Sequence, residues 1–174
     1  MRIRLIPLAA SLGAAILASP ALAADMAMGG TYMNSGDLKW GDAPPTLPKG
    51  AKISVLAGDP GKAGPFVGRL MVPANYKIAP HYHSTDEDLT VISGTLYFGE
   101  GDKMEMKGAH AIHAGGFHHL PAKTHHYAYS KGPTVVQINA NGPFDIVYIN
   151  PDDDPSKKAA AAPAAAPAKD AKKK

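Results

Sequence analysis

The chain has 174 residues, no cysteine and a formal net charge of +3. The lack of cysteine excludes disulfides, thiolate nucleophiles, zinc ribbons and cysteine-ligated iron–sulfur clusters. The positive charge sits at the ends: between Ala24 and Ser156, ten Lys and Arg stand against fourteen Asp and Glu, a net −4, which argues against a folded nucleic-acid-binding face.

Residues 1–23 open with Met-Arg-Ile-Arg, continue in an apolar run from Leu5 to Ala18, and end in Ser19-Pro20-Ala21-Leu22-Ala23. A basic start, a short apolar run and an Ala-x-Ala site read as a cleavable signal peptide, with cleavage expected after Ala23. The apolar run is short for a membrane span. A periplasmic or secreted protein follows, with no membrane span after cleavage. Residues 24–50 are rich in Gly and Pro and carry Trp40, Pro44, Pro45 and Pro48. They read as an irregular N-terminal arm, with Trp40 packed on the body or over a partner subunit. Residues 152–174 are mostly Ala, Pro and Lys, and Pro163 and Pro167 interrupt any alanine helix. Without large apolar residues this stretch reads as a disordered basic tail.

Between the ends, residues 51–151 read as the single folded domain. Short β-rich runs are expected at 51–57, 65–72, 77–83, 87–92, 95–99, 103–107, 116–120, 125–130, 133–139 and 143–149. Turn residues divide them, among them Gly58-Asp59-Pro60-Gly61, Ser93-Gly94 and Asn141-Gly142-Pro143. No long 3.6-residue apolar period occurs. About ten short strands in roughly 100 residues argue for an all-β sandwich or barrel, with a jelly roll among the options. No Rossmann or P-loop spacing and no Gly-x-Ser-x-Gly elbow is present. Phe66, Leu70, Val72, Leu89, Val91, Leu96, Phe98, Val136 and Ile138 are expected in the core.

All eight histidines lie between residues 81 and 126. In His81-Tyr82-His83 the two imidazoles share one face of a strand, about 7 Å apart along the chain. They can converge on one ion, at metal–nitrogen distances of about 2.0–2.1 Å. Ser84-Thr85-Asp86 reads as a turn, after which Glu87 can return a carboxylate to the same ion. A fourth ligand must come from elsewhere. Pro121-Ala122-Lys123-Thr124-His125-His126 presents histidine at the start of another strand.

These residues resemble the cupin family. Its first motif, Gly-x5-His-x-His-x3-Glu-x6-Gly, is met by His81, His83, Glu87 and Gly94, with Asn75 in place of the leading glycine. Its second, Gly-x5-Pro-x-Gly-x2-His-x3-Asn, is met by Gly115, Pro121 and His126, with Lys123 and Ser130 at the second glycine and the asparagine. The resemblance covers roughly residues 40–150 and is similar to small single-domain bacterial cupins, including the ChrR-like cupin domain of some anti-sigma factors. It implies a double-stranded β-helix, or jelly-roll barrel. It also implies one divalent transition metal (Fe, Mn, Zn, Ni or Cu) held by His81, His83, Glu87 and His126, with Glu87 the favoured general base. His125 is expected to point away from the site. His118 and His119 face opposite ways, so at most one looks into the barrel. His110 and His113 are expected in a loop. Asp86 and Asp88 are expected to face away from the site as surface charges.

Two function classes remain at this stage. One is a secreted metalloenzyme acting on a small oxygenated organic molecule by dioxygenase, decarboxylase or lyase chemistry. The other is a non-catalytic metal- or ligand-binding sensor. Cupin barrels pair through edge strands or an N-terminal arm, which leaves a homodimer open.

Overall fold

The computed structural model describes residues 30–157. The compact unit begins at Met33, and both sheets lie within it. The signal peptide expected at 1–23 and the tail beyond residue 157 lie outside the described residues.

Eleven strands form among the described residues: β1 Gly41–Asp42, β2 Lys52–Ala57, β3 Gly64–Val72, β4 Lys77–Tyr82, β5 Glu87–Ser93, β6 Thr95–Glu100, β7 His110–His113, β8 Phe117–Leu120, β9 His126–Ser130, β10 Thr134–Gly142 and β11 Val147–Tyr148. One sheet has the order β1-β2-β3-β10-β5-β8 and the other β11-β4-β9-β6-β7. Strand alternation sets the inward face. On β3, Phe66, Gly68, Leu70 and Val72 are buried between half-buried or exposed neighbours. On β5 the buried set is Glu87, Leu89 and Val91. Leu70, Val72, Leu89, Val91 and Val136 from one sheet meet Leu96, Phe98 and Ala128 from the other in one core. Val91 has no exposed surface. Burial of a side chain of this kind contributes about 1.5–3 kcal/mol.

Strand β9 is buried on both faces, and this corrects the expected strand at 103–107. That segment lies across the outer face of β9 as an irregular loop between Gly101 and Gly108, both at positive φ. Its backbone takes the phenol protons of β9. The Tyr127 hydroxyl donates to the Glu105 carbonyl at 2.6 Å and the Tyr129 hydroxyl to the Met106 carbonyl at 3.1 Å. The alternation of Lys103-Met104-Glu105-Met106-Lys107 imitates a strand, but its carbonyls cap tyrosines instead of joining a ladder. A side chain at Gly99 would meet the Tyr127 ring at 2.3 Å, so glycine there lets the ring lie flat.

Three other expectations are corrected. His110–His113 is not a loop but edge strand β7, paired with β6 from Phe98↔His110 to Thr95↔His113. The run 143–149 is strand only at β11, which pairs with β4. The arm expected to be irregular over 24–50 contains β1, which pairs with β2. It is tied to the barrel where the Tyr76 hydroxyl donates to the Pro48 carbonyl at 2.5 Å and the Tyr148 hydroxyl to the Thr46 carbonyl at 2.6 Å. Trp40 is half-buried. Past β11, Pro151–Asp153 forms a 3-10 turn.

Two of the motif departures occupy left-handed backbone. Asn75 has φ 59° and Lys123 φ 64°, a conformation that costs a residue with a Cβ about 1–2 kcal/mol. Gly94, at φ 79°, is a different case. A Cβ there would meet the Pro133 carbonyl oxygen at 2.5 Å and the Thr134 Cα at 3.0 Å. Lys123→Gly is therefore expected to change stability by less than about 1 kcal/mol, because relief of strain offsets the added freedom of the unfolded chain. Gly94→Ala is expected to cost more than about 2 kcal/mol, from the same strain plus a backbone clash. Urea denaturation of the two variants checks the contrast.

Candidate metal centre

Strand pairing assembles the site. His81 on β4 lies directly opposite His126 on β9, with ring centroids 4.1 Å apart. His83, one residue past β4, brings its ring centroid within 5.0 Å of both. One ring nitrogen from each of the three lies within 4.8 Å of the others. All three residues are buried.

The second nitrogen of each ring is held. His81 Nδ1 contacts the Ala79 carbonyl at 2.7 Å, His83 Nδ1 the Asp145 carbonyl at 2.5 Å, and His126 Nδ1 the Thr124 carbonyl at 2.9 Å. A carbonyl only accepts, so each Nδ1 carries the proton and each neutral ring keeps its lone pair on Nε2. Aromatic faces fix the ring planes. Phe144 stacks on His83 at 4.4 Å and Phe98 on His126 at 5.2 Å. Burial, with the other imidazoles adding to it, holds His81 well below the usual imidazole value. Burial also brings His126 down to about 4.

Glu87 opens β5 and faces inward with Leu89 and Val91. Its carboxylate oxygen lies 3.6 Å from His83 Nε2, longer than a hydrogen bond, and it stands beside the three-histidine group rather than inside it. Burial raises its pKa, with His83 opposing. The three Nε2 lone pairs and the neighbouring carboxyl border one cavity. The same set suits a divalent ion, with imidazole and carboxylate ligands of ordinary type.

The other histidines sit outside this group. His125 contacts Asp102 at 2.5 Å and stacks on Tyr82. His119 pairs with Asp88 at 2.8 Å, and His113 contacts the Thr95 hydroxyl at 3.1 Å. His110 is exposed on β7. His118 shares the inward parity of Leu120 and lies against Phe98, ring centroids 4.2 Å apart. Asp86 does more than carry surface charge. Its carboxylate accepts from the Ala122 N–H at 2.7 Å and ties down the turn that leads to His126.

Sequence reasoning missed Asp145 and Phe144. Asp145 accepts from the Ser84 N–H at 2.7 Å and the Ser84 hydroxyl at 2.6 Å, while its own carbonyl takes the His83 proton. The separation of 62 residues leaves no local signal for that contact. His83 is fixed from a second side, because its carbonyl accepts from the Lys123 N–H at 2.8 Å. The left-handed turn at Lys123 thus joins the two motif segments.

The histidines and Glu87 border a cavity of about 300 Å³ running between the sheets. Two facing antiparallel sheets around such a cavity, with this motif arrangement, define a cupin-fold protein. Similar solved structures include the polyketide cyclase RemF from Streptomyces resistomycificus, at 15% identity, TM-score 0.61, covering 75% of this chain and 93% of that one. A protein described as an acetylacetone dioxygenase from Methylibium petroleiphilum PM1 aligns at 17% identity, TM-score 0.55, covering 78% and 96%. A cupin-superfamily sugar phosphate isomerase from Silicibacter pomeroyi DSS-3 aligns at 15% identity, TM-score 0.53, covering 69% and 82%. At these identities the likeness is one of fold. Residues 29–147 match the family described as Domain of unknown function (DUF4437), and the chain belongs to that family. No curated protein matches the sequence.

The depressed imidazoles set a pH dependence for the metal-free protein. Unfolded, His81 and His126 bind protons near pH 6.5; folded, they do so only at lower pH. The unfolded chain then carries more protons in between, so folding stability is lost as pH falls from about 6.5 toward 4. Glu87, raised from 4.5, acts with opposite sign over an overlapping range, one group against two. Urea midpoints of chelator-treated protein are expected to rise from pH 4 to 6.5, and His126→Gln is expected to flatten the rise.

Proposed function

We propose that the chain is a secreted metalloenzyme that acts on a small oxygenated organic molecule. The observation that carries the reading is the set of three imidazoles, each fixed by an Nδ1–carbonyl bond so that Nε2 lone pairs converge beside a buried carboxyl. His81, His83 and His126 would hold a divalent transition metal, with Glu87 completing the donor set. Bound there, such an ion supplies Lewis-acid polarisation of a carbonyl or enol oxygen and, if redox-active, a place for dioxygen chemistry.

The chain's own residues do the rest. Glu87 is the one member of the set able to take up a substrate proton at a carboxylate oxygen. The carbonyls of Ala79, Thr124 and Asp145 keep the imidazoles in one tautomer. The cavity walls are mostly apolar. Support from the fold neighbours is general: three of them carry the names of a cyclase, a dioxygenase and an isomerase. Secretion rests on residues 1–23 alone.

Elemental analysis of protein exported through its own signal is expected to find about one divalent ion per chain. Preparations free of metal, with no thermal shift on adding iron, manganese, nickel, copper or zinc, would overturn the site. His83→Ala is expected to lose the ion. Glu87→Gln is expected to retain it at reduced affinity and to lose turnover across a panel of small acids, catechols and flavonols. No turnover by any metal-loaded wild-type form would favour the binding or sensing class. A separate series probes the support around His83. Asp145→Ala is expected to weaken metal affinity about tenfold by releasing Ser84 and the backbone that orients the ring, as read by competition with a chelator.

A further inference from the structure

The cavity around the three histidines has a chemistry of its own, beginning with its walls. Leu70, Leu89, Leu96, Phe98, Val136 and Ile138 face it from both sheets. The polar side chains on the wall, apart from the histidines and Glu87, are few, and most are already committed to the protein. The Tyr76 hydroxyl donates to the Pro48 carbonyl, the Tyr129 hydroxyl to the Met106 carbonyl and the Ser130 hydroxyl to the Pro73 carbonyl at 2.8 Å. The Asp145 carboxylate is taken by Ser84. Arg69 is the one cationic side chain bordering the cavity among the described residues. It lies on β3 between the inward-facing Gly68 and Leu70, and its Nε donates to Gln137 Oε1 at 3.1 Å. The half-buried Thr46 hydroxyl on the arm is the remaining polar group.

Away from Arg69 and Thr46, a ligand's hydroxyls would therefore meet few free donors, and an anionic group would meet no cation. An unpaired buried hydroxyl is penalised and an unpaired charge far more so, whereas buried hydrocarbon is favoured in proportion to its area. A volume of about 300 Å³ holds about ten water-sized groups.

From this we infer that the substrate is a small molecule of about ten non-hydrogen atoms with an uncharged, hydroxyl-free, hydrocarbon-rich body. A single oxygen-bearing head faces His81, His83, His126 and Glu87. Polyols, sugar acids and sugar phosphates are expected to bind more weakly than hydrocarbon-bodied ligands with the same head. The inference rests on the metal-site reading for the head, and on the cavity alone for the body.

Two measurements on the full mature chain separate these parts. The first compares two ligands with the same metal-chelating head, benzohydroxamate and gluconohydroxamate, by titration calorimetry of metal-loaded protein. Benzohydroxamate is expected to bind at least tenfold more tightly. Equal or tighter binding of gluconohydroxamate overturns the inference, as does failure of both on protein shown to contain metal. The second uses chelator-treated protein and indole, which has no chelating head, followed by ligand-observed NMR. Indole is expected to bind, and its exclusion overturns the apolar-body assignment. Should the chain hold no metal at all, the metal-site reading fails while the indole result still decides the cavity.

Discussion

Everything at the centre of this protein depends on one constraint: a buried imidazole must spend its N–H somewhere. His81, His83 and His126 spend theirs on the carbonyls of Ala79, Asp145 and Thr124. Two of those carbonyls lie two residues earlier on the same chain segment, so the strand that carries the ring also fixes its tautomer. The third comes from the segment leading into β11, the strand paired with β4, 62 residues further along the chain. With every proton turned outward, every lone pair is turned inward. The site's affinity for a cation is therefore built into the backbone hydrogen bonding before any ion arrives.

The surrounding structure serves that arrangement. Register between β4 and β9 places His81 opposite His126. The inward parity of β5 delivers Glu87 next to His83. Phe144 and Phe98 press on the rings, and the turn at Lys123 bonds to the His83 carbonyl. Four of the barrel's tyrosines are turned to its own backbone. Tyr76 and Tyr148 fasten the arm, and Tyr127 and Tyr129 fasten the loop that follows β6. These bonds satisfy the phenols and leave the cavity wall largely hydrocarbon.

Most of the barrel was legible because alternation is a strong signal where one face is buried. The runs that became β2 to β6 and β8 to β10 are bounded by turn residues, and on β3 and β5 the buried residues share one parity. The signal failed in both directions at the edges. Lys103-Met104-Glu105-Met106-Lys107 alternates yet caps tyrosines. His110-Ala111-Ile112-His113 is too short and mixed to stand out, yet the edge of β6 recruits it. An edge strand needs only a neighbour's free N–H and C=O groups, and these are written in another segment's sequence.

The site divides in the same way. His81, His83, Glu87 and His126 were legible by spacing, because i, i+2 on a strand shares a face and the second motif carries its own register. Asp145, Phe144, the arm carbonyls that hold Tyr76 and Tyr148, and the separation of Glu87 from the three-histidine group were not. The sequence by itself determined the fold class, the candidate ligands and the absence of thiol chemistry, since each depends on residue type and local period. Only the tertiary structure decided which nitrogen of each ring is free and what kind of body the cavity accepts. The folded backbone brings the Ala79 and Thr124 carbonyls onto the rings two residues further on, the pairing of β11 with β4 brings Asp145 to His83, and the packing of the two sheets shapes the cavity; none of these follows from residue type or spacing alone.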